Sequence, residues 1–185
     1  IAIILIALLV KPPKQEKSQE TTFKTFYSSI KKVLKLNGSW LWTTFIIGCF
    51  SMFMLFGFLF FFSEILEMKY NLKGVYKGLI LAIPLLFLSI ASYVTGKKVG
   101  ENKVLMKWLI FLGNAISFVA LFFIKENLTL WLLIALLSLS GLGIGITLPC
   151  LDALITEGVE KKIRGTITSI YSSIRFVGVA FGPPF

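Results

Sequence analysis

Four stretches of this chain contain no charged side chain at all: Trp40 to Ser63, Gly78 to Gly96, Trp108 to Ile124 and Asn127 to Leu151. A helix rises about 1.5 Å per residue, so roughly 20 apolar residues cross a hydrocarbon core about 30 Å thick. Each stretch is long enough for one crossing. The bilayer offers no partner to a free backbone N–H or C=O, which leaves helices and closed barrels as the only spanning structures. Barrel strands alternate in polarity over about ten residues, whereas these runs are continuous. The prediction is an all-α, polytopic membrane helix bundle. Its spans fall at about 40–63, 75–96, 105–124 and 128–150, with a fifth at 164–185 if one internal charge is tolerated. Composition agrees, with 56% hydrophobic residues, 18 Phe and a mean hydropathy of +0.86, well above a soluble domain.

The first ten residues, IAIILIALLV, are apolar but too short to cross. No basic segment precedes them and no small-residue cleavage site follows, so a signal peptide is disfavoured. They read as the end of a truncated transmembrane helix, and the chain reads as a fragment. Residues 11–39 form the only long polar segment. After the helix-stopping pair Pro12-Pro13, the residues Phe23, Phe26, Tyr27, Ile30, Val33 and Leu34 recur at three- and four-residue spacing. That spacing predicts an amphipathic helix lying on the membrane surface, with partner docking as the alternative.

Basic residues near helix ends remain cytoplasmic. Segments 11–39, 97–107 and 152–164 together hold fourteen Lys and Arg, against four in the two loops that alternate with them. The first three are therefore expected to be cytoplasmic, in a multi-pass protein of the inner or plasma membrane. This bias also accounts for the net charge of +10, so no nucleic-acid partner is needed; the lipid bilayer and its anionic headgroups suffice.

Catalytic and metal signatures are missing from the sequence. There is no His, the two Cys stand apart at 49 and 150, and no GxxxxGK[ST] loop occurs. An enzyme, a zinc site and a disulfide framework are all disfavoured, and no cofactor is expected. The intramembrane polar and small residues carry the information. Gly141 and Gly145 form one GxxxG, with Pro149 following; Gly178 and Gly182 form another, followed by Pro183. Small residues at this spacing let helix backbones approach, and Gly with Pro eases bending. Both motifs are expected to mark close contacts between the last two helices or with a neighbour.

Arg175 is the lone charge of residues 165–185. It lies ten residues, about 15 Å, from Gly165 and so near the bilayer midplane. A charge there costs at least about 2.5 kcal/mol unless it faces protein or a wet cavity, which makes Arg175 a substrate-cavity candidate, with a purely structural role as the alternative. Ser172 shares its helix face. Asp152 and Glu64, at helix ends, are weighed as titrating or gating groups against simple solvation. Glu157, Glu160 and Arg164, close in sequence to Asp152, suggest a charge cluster on the inner loop.

The segment RGTITSIYSSIRFVGVAFGPPF resembles the GxxxGP-bearing helix of the major facilitator superfamily, particularly its drug-proton antiporter branch. The match rests on Arg164-Gly165 at the helix start and on Gly178, Gly182 and Pro183 in the motif. GLGIGITLPCLDALITEGVEKKIRG resembles the helix and loop that precede it. GKKVGENKVLMK stands where the family has a loop motif but lacks its Asp and Arg-Lys pair. The resemblance implies the C-terminal half of a transporter, from the end of helix six to helix eleven, with the N-terminal half as its missing partner. It implies alternating access, a small hydrophobic or cationic substrate, and protons as energy source and co-substrate. It also implies that helices seven, eight, ten and eleven line the cavity while six and nine face lipid. Drug efflux in a bacterial inner membrane is the leading expectation. A uniporter or importer of sugars or metabolites, or a non-transporting membrane scaffold, remains open on the residues alone.

The charge distribution generates a direct test. In the full-length protein, a cysteine at position 28 is expected to resist a membrane-impermeant thiol reagent applied outside intact cells. Efficient external labelling would reverse the topology.

Overall fold

A computed structural model describes residues 38–100, 102–125 and 128–183. The expected helix end at 1–10 and most of the basic segment 11–39 lie outside these residues. The described chain forms five helices: α1 Gly38–Met68, α2 Gly74–Lys98, α3 Lys103–Phe122, α4 Leu130–Gly158 and α5 Lys161–Phe181. Short turns join them. Asn71 and Gly74 take left-handed backbone at φ 51° and 63° in the α1–α2 turn, a conformation that Asn and Gly adopt at least cost. Asn102 caps α3 by accepting hydrogen bonds from the N–H groups of Val104 and Leu105.

Helices α1 to α4 are each long and apolar enough to cross a membrane. Their outer faces confirm the solvent: Trp42, Phe50, Trp108, Phe118, Phe122 and Trp131 are all more than half exposed, a pattern that water would penalise and lipid does not. All four outrun their charge-free windows, α2 into Lys77, Lys97 and Lys98 and α3 into Lys103 and Lys107, and in two the extension carries acids. The first continues past Ser63 through Glu64 and Glu67, and α4 continues past Cys150 through Asp152 and Glu157. A charged side chain ends an apolar run, while the backbone hydrogen-bond ladder carries on regardless.

The centre of the bundle is α4, which is the most enclosed of the four apolar helices and touches all the others. Three kinds of contact hold it. At one end a cluster of Phe62, Leu66, Leu121, Leu133, Ile134 and Leu137 joins α1, α3 and α4. Along its length, small residues bring backbones together on two sides. A Cβ on Gly141 would stand 2.6 Å from the Pro84 carbonyl oxygen of α2, and one on Gly145 would strike Leu88 and Ala91 of the same helix. On the other side, Gly143 meets Gly113 and Ser117 of α3. There the buried Ser117 hydroxyl, 3.0 Å from the Gly113 carbonyl and 3.1 Å from that of Ser140, ties α3 to α4.

Helix α5 is built differently. It runs beside α1, where Gly178 meets the Cys49 backbone and a Cβ on Gly182 would lie 2.9 Å from the Gly57 nitrogen. The two GxxxG motifs thus do not meet each other: one serves the α2–α4 contact and the other the α1–α5 contact. Helical spacing makes Gly141 and Gly145, or Gly178 and Gly182, one face, but each face's partner is set by the order of the helices.

Leu at Gly145 would have to displace Leu88 and Ala91, whereas nothing lies within 4 Å of a Cβ at Gly78. Gly145→Leu is expected to lower stability by about 1–3 kcal/mol, read as a lower Tm in detergent, and Gly78→Leu to leave Tm unchanged or raised. Equal effects at the two positions would show that α4 does not meet α2 through this face.

Candidate substrate-binding site

Helix α5 is rich in hydroxyls and carries one central charge. Ser169 donates to the Gly165 carbonyl and Ser173 to that of Ser169, both at 2.9 Å, so these hydroxyls are satisfied within their own helix. Arg175 has no such recourse, because a guanidinium carries five N–H donors and no acceptor. Its partner comes from α4. Nη1 of Arg175 donates to Oδ1 of Asp152 at 3.2 Å, with the two side chains 20% and 54% exposed. Tyr171, one turn earlier on α5, places its ring beneath the guanidinium at 5.3 Å, within cation–π reach.

Tyr171 is itself fixed. It is buried, stacks on Phe45 of α1 with ring centroids 5.9 Å apart, and lies so close to Gly48 that a Cβ there would be 2.6 Å from its ring. Its hydroxyl is buried without a hydrogen-bond partner among the described residues. Phe45 and Gly48 of α1, Tyr171 of α5 and Asp152 of α4 thus fix Arg175 at the junction of three helices. Beside it opens a cavity of about 200 Å3, lined by Met52 of α1 and by Ser172, Arg175, Phe176 and Val179 of α5.

The other sequence candidates fall elsewhere. Glu64 is exposed on α1 and lines a separate cavity of about 520 Å3, together with Phe53, Gly57, Gly182 and Pro183. Pro149 lies within α4 without ending it. Glu157, Glu160 and Arg164 form no ion pair among the described residues: Arg164 Nε is buried without a partner there, and Glu160 meets the start of α5 through its backbone carbonyl, which accepts the N–H groups of Ile163 and Arg164. Asp152 therefore belongs with Arg175 and not with the loop acids. Sequence proximity misplaces it, because six helical residues separate it from the end of α4 at Gly158 and turn it toward a different neighbour. The role of Tyr171 was the least visible. Its four-residue offset from Arg175 puts the two on one face, but nothing in the sequence distinguishes a tyrosine beneath a cation from one facing headgroups.

The described residues thus form a bundle of apolar helices around a glycine-rich central helix, with the Asp152–Arg175 pair beside a partly open cavity. The sequence profile of the Major Facilitator Superfamily matches residues 1–183, and the chain belongs to that family. It is 49% identical over 180 residues to the Bacillibactin exporter of Bacillus subtilis, covering 96% of this chain and 44% of that protein. It is also 29% identical over 130 residues to the human MFS-type transporter SLC18B1, covering 62% of this chain and 28% of that protein. The chain thus spans less than half the length of these relatives. No solved structure matches it significantly.

Because the Tyr171 hydroxyl is buried with no geometric hydrogen bond among the described residues, Tyr171→Phe is expected to keep or raise stability, by up to about 1 kcal/mol, read as an unchanged or higher Tm. Tyr171→Ala should lose about 3–5 kcal/mol through the cavity left against Phe45. A large loss in the Phe variant would mean that the hydroxyl has an essential partner.

Proposed function

We propose that the full-length protein is a proton-driven exporter of small, largely apolar molecules in a bacterial cell membrane, working by alternating access. On this reading the chain supplies its C-terminal half, from the end of helix six to helix eleven, and belongs with the drug-proton antiporters. Its likeness to an exporter along nearly its whole length carries the proposal, and bacillibactin is the first compound to test.

The geometry supports α5 as a fifth span, although its charges and hydroxyls leave it outside the four helices that qualify by apolarity alone. Its contacts with α1 fall at Gly48, Cys49 and Gly57, in the middle of the charge-free stretch Trp40 to Ser63, so α5 lies at the same depth as α1. Arg175 then sits inside the membrane with Asp152 and the Tyr171 ring offsetting its desolvation, as a charge at that depth requires. A bundle that moves between inward-open and outward-open states needs elements joined by exchangeable contacts rather than by a fused core. The α1–α5 pair meets this need: its broad contact is internal, and it meets α4 more sparingly than α2 and α3 do.

Everted membrane vesicles containing the full-length protein should accumulate bacillibactin when an inward-acidic proton gradient is imposed, and an uncoupler should abolish the uptake. Absence of gradient-driven uptake would reject export of this compound. Uptake that survives the uncoupler would reject proton coupling.

A further inference from the structure

Among the described residues the guanidinium of Arg175 makes one side-chain hydrogen bond and rests on one aromatic ring. Asp152 takes a single N–H···O contact from Nη1, while the side chain also lines the 200 Å3 cavity with Met52, Ser172, Phe176 and Val179. A structural arginine in an apolar bundle is expected to be saturated, by bidentate pairing or by carbonyls, because each open donor carries a desolvation cost. Arg175 is instead held from one side and backed by an aromatic face, with no further hydrogen-bond partner among the described residues, beside an open cavity. The remaining walls of that space are a thioether, a phenyl ring, an isopropyl group and one hydroxyl.

We propose that Arg175 is the anchor for an acidic group on the transported molecule, a carboxylate or an acidic phenol attached to an apolar or aromatic body. The inference rests on the export reading for the identity of the cavity as part of the transport path. The planar fork binds the acidic oxygens through its free N–H groups, and Ser172 can add a hydroxyl donor. Met52, Phe176 and Val179 cover the apolar body. Asp152 is a positioning residue: it aims the guanidinium and keeps the ligand-free site close to neutral. This replaces the cationic half of the sequence expectation, since a cationic ligand would face an immobilised cation across the cavity.

Binding of two probes to the purified full-length protein in nanodiscs tests this without requiring transport: 2-naphthoate and its uncharged analogue 2-naphthamide, read by calorimetry. The wild-type protein is expected to bind the carboxylate at least about tenfold more tightly than the amide. Arg175→Ala should remove that preference while leaving amide binding in place, and Arg175→Lys should keep part of it, having the charge but not the fork. The exchanged pair Asp152→Arg with Arg175→Asp separates this role from a structural one. It should regain the wild-type Tm yet not the preference for naphthoate. The proposal is overturned if wild type shows no preference, if Arg175→Ala retains it, or if the exchanged pair restores it along with Tm. Failure of vesicles to transport bacillibactin would count against the export reading alone, because naphthoate binding is measured independently of it.

Discussion

In water, helices associate because burying apolar surface is favourable; in lipid that drive is largely absent, because the hydrocarbon is as apolar as the side chains. What holds this bundle is close approach. Where Gly141 and Gly145 meet α2, where Gly143 meets Gly113 of α3, and where Gly178 and Gly182 meet α1, backbones come near enough that a methyl group would collide with the neighbour. Dispersion over such surfaces, added to the occasional interhelical hydrogen bond such as that of Ser117, supplies the cohesion. Everything else in the structure is arranged around these contacts.

One consequence is a division of labour. Helix α4 carries glycines on two sides, so α2 and α3 both bind it tightly, whereas α5 turns its own glycines toward α1. The polar tie between α5 and α4 is the Asp152–Arg175 pair. A single ion pair in a partly exposed setting contributes modestly to stability, which suits a joint that positions a side chain without locking it. Tyr171 completes the arrangement from below, since its ring is clamped between Phe45 and Gly48 and cannot follow the guanidinium if the pair opens. The same residues that make α5 a poor apolar span are thus those that tie it to its neighbours and line the cavity.

Much of this architecture was legible in the sequence, and the rest was hidden for identifiable reasons. Charge-free runs report a solvent, so the all-helical membrane bundle could be read from Trp40 to Leu151. Helix ends could not, because Glu64 and Asp152 end the charge-free runs while the backbone continues beyond them. GxxxG spacing announced close approach but not with whom, since a face on one helix does not name its partner. Arg175 stood out by its isolation and depth. Its pairing with Asp152 depends on where α4 lies beside α5, which spacing along the chain does not encode, and the nearer acids Glu157 and Glu160 drew attention instead. Gly113 carries no signal in the sequence, because its importance comes from Gly143 opposite it.

The central claim is spatial: α5 is held beside α4 so that positions 152 and 175 meet. Thiol cross-linking in membranes addresses it directly. The full-length protein with Cys49→Ser and Cys150→Ser would carry paired cysteines at 152 and 175, or at 64 and 175, and be treated with a bifunctional thiol reagent long enough to span the ion-pair contact plus the arginine side-chain length that the cysteine lacks. The account predicts efficient bridging of 152 to 175 and none of 64 to 175, because Glu64 and Arg175 line different cavities. Bridging of 64 to 175 in preference to 152 to 175 would contradict it.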